Sequence, residues 1–196
     1  EPEAPIELEL QAVLDAPRAA GAAALPTLVF SHGNCGWEGQ SAYLLADLAR
    51  AGFLVVSPGH TGNTVLDPGC DAWLGTSFAE RLDDVRAVLD ALAAWSAEPG
   101  GAFEGLVDPE RIGLVGFSAG GLTTIPIAWE DARVKVEVAL ATPVTAPGFL
   151  PLPVPALLVA GELDTTAPPA VAELIIYAGL APPRFMATVA SAAHSN

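Results

Sequence analysis

The stretch Gly116-Phe117-Ser118-Ala119-Gly120 constrains this chain more than any other. Before it, Arg111-Ile112-Gly113-Leu114-Val115 reads as a short buried strand, and after it Gly121 to Trp129 reads as the opening of a helix. A serine between the two sits at the apex of a sharp, strained turn. Strand and helix pass close there only if the residues two before and two after the serine carry no side chain. Gly116 and Gly120 meet that condition. The turn lifts the Ser118 hydroxyl above the carboxyl edge of a sheet, while the amides at the helix start, beginning with Ala119, point at any oxygen beside it. Taken alone, the motif is also a Gly-rich turn with a capping serine; the strand before and the helix after favour a nucleophile with half an oxyanion hole.

The remaining chain alternates between strands and helices. Ile6 to Leu14 has the alternation of a strand with one wet face, suited to a sheet edge, and Leu25 to Phe30 is a continuous apolar strand that runs into Ser31-His32-Gly33-Asn34. Gly33 permits a tight turn there, and the amide of Asn34 is the candidate for a second oxyanion donor above Ser118. The alternative readings are a turn asparagine and, for His32, a structural histidine bonded under the loop. Ser41 to Ala51 has helical spacing and a Gly52 stop, Phe53 to Ser57 is a strand, and Pro58 to Asp71 is a turn-rich loop holding His60 and Cys70. An amphipathic helix is expected over Ser77 to Trp95, a loop over Pro99 to Asp108, and a strand over Val134 to Ala141. Thr142 to Pro153 follows as a connector, then a strand over Pro155 to Gly161, a helix over Pro168 to Gly179 and a last strand over Arg184 to Val189; Ala190 to Asn196 is a tail with His194. The expected class is α/β: one domain over residues 1–196, with a mostly parallel sheet covered on both faces and ligands bound at the strands' carboxyl ends.

Composition excludes several classes. A net charge of −15 repels phosphate backbones and anionic membranes, so nucleic acid is not an expected partner. No apolar run approaches the roughly 20 residues a membrane span needs; Val154 to Ala160 is long enough only for a buried strand. Cys35 and Cys70 are too few for a cysteine-built metal site, and histidines at 32, 60 and 194 show no ligand spacing, so no metal or other cofactor is expected. Both cysteines fall on loops at the carboxyl edge; whether they are bridged depends on a Cα separation under about 7 Å. The acidic start Glu1-Pro2-Glu3 is unlike the basic start of a signal peptide and reads as a mature end or an artificial boundary; the compartment is left open, and a bridge between the two cysteines would favour a secreted or periplasmic protein over a cytoplasmic one.

Ser118, Asp164 and His194 all fall after strands, in that order. A serine hydroxyl attacks a carbonyl only if a neutral imidazole takes its proton, and the imidazole needs a carboxylate to fix its tautomer and stabilise its cation. His60 is the rival base, though it lies between the second and third parallel strands rather than near the chain end. Individually, Asp164 reads as a turn cap and His194 as a terminal residue.

With these residues in place the chain resembles the α/β-hydrolase superfamily over nearly its whole length. Ser31-His32-Gly33-Asn34, the run Leu48-Ala49-Arg50-Ala51-Gly52-Phe53-Leu54-Val55-Val56-Ser57-Pro58-Gly59-His60 and Gly116 to Gly121 resemble the dienelactone hydrolase-like group. That group includes platelet-activating-factor acetylhydrolase-like esterases and is similar to the cutinase-like polyester hydrolases. The resemblance implies Ser118 as nucleophile, Asp164 as acid, His194 as base, the amides of Asn34 and Ala119 as the oxyanion hole, and a small-molecule or polymeric ester as substrate. It implies esters rather than dienelactones, because true dienelactone hydrolases use a cysteine where Ser118 stands. Gly59 replaces an aspartate common among relatives. The chain also ends two residues after His194 where relatives continue into a helix, so the expectation is either a minimal or truncated form or a weakly held His194. The same triad would serve a thioesterase, amidase or peptidase, and an inactive binding member of the fold is the reading from another class. Scarce sequence for a cap between Gly121 and Glu162 predicts an open cleft suited to short acyl groups, with Trp37 or Trp129 as an aromatic flank.

Overall fold

The structure is a computed structural model in which residues 12, 13, 16, 18, 23–70, 76–143 and 151–194 are described. Among the described residues six strands form one sheet: β1 (Leu25–Ser31), β2 (Leu54–Val56), β3 (Val107–Phe117), β4 (Val134–Leu140), β5 (Ala156–Gly161) and β6 (Arg184–Val189). Their order is β2-β1-β3-β4-β5-β6 and every pairing is parallel. Parallel neighbours need crossovers. These are carried by α1 (Ala42–Arg50), α2 (Thr76–Ala97), α3 (Ala119–Glu130) and α4, a turn over Pro169–Val171 that widens into a π-helix over Ala172–Tyr177. The chain moves outward from β1 to β2, then returns to place β3 on the other side of β1. Direction therefore reverses between β1 and β3, and the crevice for a ligand opens at their carboxyl ends.

Alternation along the strands separates the two faces. Val29 and Leu114 are fully buried against Val85, Leu89 and Leu92 of α2 and Ile125 and Ile127 of α3. Leu28, Phe30 and Val115 point the opposite way and pack on Leu45 and Leu48 of α1. On that side the register continues from Val115 through Val138 and Leu157 to Phe185, which is 62% exposed.

The strands over 25–30, 134–141, 155–161 and 184–189 lie where the apolar runs put them, to within a residue. β3 starts earlier than expected: Val107 pairs with Leu25, the exposed residues 109–111 bulge out, and pairing resumes at Ile112 with Thr27, so the loop over Pro99 to Asp108 ends inside the strand. An Arg111–Asp108 ion pair closes the bulge. The helix after Ser118 begins at Ala119 rather than Gly121, because Ser118 itself occupies the cap position. The edge strand expected over Ile6 to Leu14 lies almost wholly outside the described residues, as does much of the Thr142 to Pro153 connector.

Glu137 of β4 is fully buried against α3. The Thr124 hydroxyl donates to its Oε1 at 2.6 Å, and Oε2 has no partner. Burial, only partly offset by the threonine, raises its pKa from 4.5 to about 8. The unfolded chain loses this proton at a lower pH than the fold does. The group's stabilising contribution is thus complete below the unfolded pKa and is lost as pH rises through about 8. Glu137→Gln should gain on the parent by about 1.4 kcal/mol per pH unit across that window and level off above it, in urea titrations run from pH 5 to 9. A constant difference would mean the folded carboxyl is already ionised at pH 5.

Candidate active site

β3 ends at Phe117 and α3 begins at Ala119, leaving Ser118 alone to make the turn at φ 53° and ψ −118°. Its backbone is pinned on both sides: its N–H donates to the Leu140 carbonyl at 2.8 Å, and its carbonyl accepts from Gly121 N–H at 3.0 Å. The two glycines are required by contact. A Cβ on Gly116 would lie 2.4 Å from the Gly120 carbonyl carbon, and one on Gly120 would lie 1.9 Å from the Ser31 carbonyl oxygen. Because Ser31 and Gly116 are register partners, the residues three further on, Asn34 and Ala119, leave the sheet edge at comparable height. The amide of Ala119, at the first position of α3, has no partner within its own helix.

Asp164 follows β5 and His194 follows β6, and neighbouring strands bring both to the edge where Ser118 stands. His194 Nε2 lies 2.9 Å from Ser118 Oγ, and its Nδ1 lies 2.7 Å from Asp164 Oδ2. With the proton on Nδ1, that ring nitrogen donates to the carboxylate and Nε2 accepts from the hydroxyl. Asp164 Oδ1 accepts the amides of Thr166 and Ala167, each at 2.8 Å. Burial pushes the Asp164 carboxyl up, but the Ala167 amide, His194 and the Thr166 amide together outweigh it and hold the group below its ordinary range. The loops carrying the two residues are joined by Leu163 N–H to the Ala192 carbonyl at 2.8 Å and Ser191 N–H to Glu162 Oε2 at 2.8 Å. Phe117 packs on the imidazole with ring centroids 5.3 Å apart. His194 is therefore held from three sides and is not the weakly held imidazole, one of the two alternatives expected from the chain end.

The loop after β1 is tied to the loop after β2. Cys35 and Cys70 are bridged, with Cα atoms 5.3 Å apart. Val65 N–H donates to the Gly36 carbonyl at 2.9 Å, and Asn63 Nδ2 donates to Asn34 Oδ1 at 2.8 Å. His32 is the structural histidine of the alternative reading: Nδ1 bonds the Gly33 carbonyl and Nε2 accepts the His60 amide. His60 makes a second serine–histidine–aspartate chain, with Nε2 2.8 Å from Ser31 Oγ and Nδ1 2.9 Å from Asp84 Oδ2. Ser31 and His60 have no exposed surface, so an ester cannot reach them. Burial lowers the pKa of both histidines, His32 to about 4, which leaves them neutral at pH 7.

Trp37 is half-exposed on the β1 loop, close after Asn34. Trp129 lies near the far end of α3, roughly 15 Å along the helix from Ala119, and does not flank the site. Arg81, Asn63 and Thr123 are buried polar residues beneath the site that the motif reading passed over. A signal was present: Arg81, Val85, Leu89 and Leu92 form one helical stripe, and an arginine on an apolar stripe needs a reason. Among the described residues no group of histidine, cysteine and carboxylate side chains has the makings of a metal site, and no helix is long and apolar enough to cross a membrane.

The family model for PETase, PET hydrolase-like proteins, matches residues 13–195. This chain belongs to that family. Cutinase est1 of Thermobifida alba is 25% identical over 152 residues, covering 69% of this chain and 50% of the cutinase. Cutinase 2 of Thermobifida cellulosilytica and cutinase cut1 of Thermobifida fusca are each 26% identical over 152 residues, covering 69% of this chain and 56% and 46% of those proteins. The chain thus spans about half the length of these curated relatives. PET hydrolase-like membership agrees with the α/β fold and with the resemblance to cutinase-like polyester hydrolases.

The bridge spans 35 residues in sequence, for which chain entropy predicts about 4 kcal/mol of stabilisation. Replacing both cysteines by serine should lower urea stability by an amount of that order, and denatured, unreduced parent should show no free thiol. A change under about 1 kcal/mol would mean that the hydrogen bonds between the loops hold them without the bridge.

Proposed function

We propose that this chain is a serine hydrolase of carboxylic esters, with Ser118 as nucleophile, His194 as base and Asp164 as the acid that orients it. The observation that carries the proposal is the unbroken hydrogen-bonded chain Ser118–His194–Asp164, built on a turn whose serine is forced into a strained, forward position. Ser118 Oγ bonds to the acyl carbon as its proton passes to His194 Nε2, and Asp164 stabilises the resulting imidazolium through Nδ1. The amides of Asn34 and Ala119 receive the oxyanion. The tetrahedral adduct then collapses: the ester C–O bond breaks, His194 returns its proton to the departing alcohol, and an acyl-enzyme remains. Water, deprotonated by the same imidazole, attacks the acyl carbon and frees the acid and the Ser118 hydroxyl.

Short acyl esters and accessible ester bonds of a polymer are the proposed substrates. The groove that reaches His194 holds about 330 Å³ and is open to solvent, lined by Tyr43, Leu44, Phe117, Leu140, Val159 and Val189. It offers an acyl chain partial cover, whereas full burial would add about 0.8 kcal/mol per CH₂. The half-exposed Trp37 provides an aromatic surface on the β1 loop. Cutinase and PET hydrolase-like relatives support an ester in a polymer as the larger substrate. The Cys35–Cys70 bridge supports an oxidising compartment.

Ser118→Ala should lower kcat by about four orders of magnitude and abolish labelling by a serine-directed phosphonate, with the far-UV spectrum unchanged. His194→Ala should be nearly as damaging; His60→Ala, measured per folded molecule, should not. Activity of Ser118→Ala within tenfold of the parent would remove the assignment. Across p-nitrophenyl esters from acetate to palmitate, kcat/KM should peak between C2 and C6, and a maximum at C12 or beyond would reveal a deep acyl tunnel instead.

A further inference from the structure

Beneath the two loops that leave β1 and β3 lies one buried cation. Arg81 of α2 has no exposed surface, and its planar fork reaches three separate elements. Nη1 donates to Asn63 Oδ1 at 2.7 Å, Nε donates to Thr123 Oγ1 at 2.9 Å, and Nη2 donates to Ser31 Oγ at 3.1 Å and to the His32 carbonyl. Each acceptor is neutral. Asp84, the carboxylate of α2 that interacts with this cation, is bonded to His60. A buried guanidinium held by neutral oxygens is an expensive way to fill a core, and an aliphatic side chain on the same stripe would serve packing as well or better. What an aliphatic chain lacks is a rigid fork of donors that fixes several acceptors at once.

The contacts lead in two directions. Asn63, held by Arg81 through its Oδ1, uses its Nδ2 to donate to Asn34 Oδ1 at 2.8 Å and to the Cys70 carbonyl at 2.7 Å. Thr123, held through its Oγ1, donates that hydroxyl to the Ala119 carbonyl at 3.0 Å. Asn34 and Ala119 are the residues whose amides form the proposed oxyanion hole; the loop after β1 and the start of α3 already touch where Gly120 meets the Ser31 carbonyl, and the fork adds a side-chain link from Asn34 to Ala119. Resting on the reading of Ser118 as an ester-cleaving nucleophile, we propose that Arg81 is a positioning residue that sets the two oxyanion donors relative to each other, acting on Asn34 through Asn63 and on Ala119 through Thr123. Donor placement matters most when charge develops on the substrate oxygen, so loss of the link slows turnover while leaving ground-state binding unchanged.

Asn63→Asp is the most selective test. It keeps an acceptor for Arg81 and replaces the donor to Asn34 and to the Cys70 carbonyl by a lone pair, so an Asn34→Ala background separates the two losses. The expected result is a 10- to 100-fold fall in kcat on p-nitrophenyl butyrate with KM within twofold, and a matching loss of affinity for a boronic acid that mimics the tetrahedral adduct. In an Asn34→Ala background, which keeps the amide but removes the side-chain acceptor, most of that fall should disappear. On the other arm, Thr123→Val should lower kcat about tenfold and Thr123→Ser should restore it. A folded Asn63→Asp protein with kcat within twofold of the parent, or a loss undiminished by Asn34→Ala, would overturn the proposal. Should the parent itself neither turn over esters nor take up the phosphonate, the reading of Ser118 fails first and the positioning role falls with it.

Discussion

The backbone of Ser118 is held in a conformation that L-residues rarely adopt, and much of the structure is arranged around keeping it there. A non-glycine residue in such a region costs of order 1–3 kcal/mol and persists only when its surroundings over-determine it. Here they do: Gly116 and Gly120 remove the two Cβ atoms that would collide, and hydrogen bonds to Leu140 and Gly121 fix the peptide on both sides. The contact of Gly120 with the Ser31 carbonyl requires β1 and β3 to be neighbours, which in turn places β2 outside β1 and reverses the chain's direction there. Since all pairings are parallel, every strand delivers its carboxyl end to one edge, and Asp164 and His194 arrive beside Ser118 as a consequence of topology.

The helix that follows Ser118 is fastened by adjacent threonines to opposite neighbours. Thr123 joins it to Arg81 of α2, and Thr124 joins it to Glu137 of β4. Both partners are ionisable groups buried away from water, and their surroundings treat them differently. Burial lowers the Arg81 pKa only to about 10, so it stays charged at neutral pH, whereas Glu137 at about 8 stays protonated. The helix that follows Ser118 therefore sits between one retained charge and one suppressed charge, each held by a threonine hydroxyl.

The six described strands and the three residues of the hydrogen-bonded chain Ser118–His194–Asp164 were legible in the sequence, the strands as apolar runs and the three residues from their places after strands; the order of the strands in the sheet was not. Apolar runs mark parallel strands buried on both faces, and glycines two before and two after a serine, between strand and helix, meet the steric demand of a strained nucleophile turn. The Arg81 fork was not legible, because its meaning lies in partners at positions 31, 32, 63 and 123, which only the crossover from β2 through α2 brings together. The early start of β3 was hidden for a related reason: residues 109–111 look like loop and are loop, yet Val107 before them still finds Leu25 across the bulge. Of the two tryptophans considered as an aromatic flank, Trp129 lies ten residues along α3 from Ala119, and a rise of about 1.5 Å per residue carries it away from the site.

Two serine–histidine–aspartate chains stand on this sheet edge with nearly the same spacings, 2.9 and 2.7 Å for Ser118–His194–Asp164 against 2.8 and 2.9 Å for Ser31–His60–Asp84. Distance alone cannot separate them, and environment does. Ser31 and His60 are sealed from solvent, Ser31 Oγ also accepts from the Arg81 guanidinium, and that cation opposes the imidazolium a base must become. The His194 side chain keeps 20% of its surface, and its carboxylate partner is held below its ordinary range, the charge state that stabilises an imidazolium. The same three side-chain types thus form a cross-brace where an arginine faces them and water is absent, and a candidate proton relay where a substrate has access and the carboxylate stays ionised.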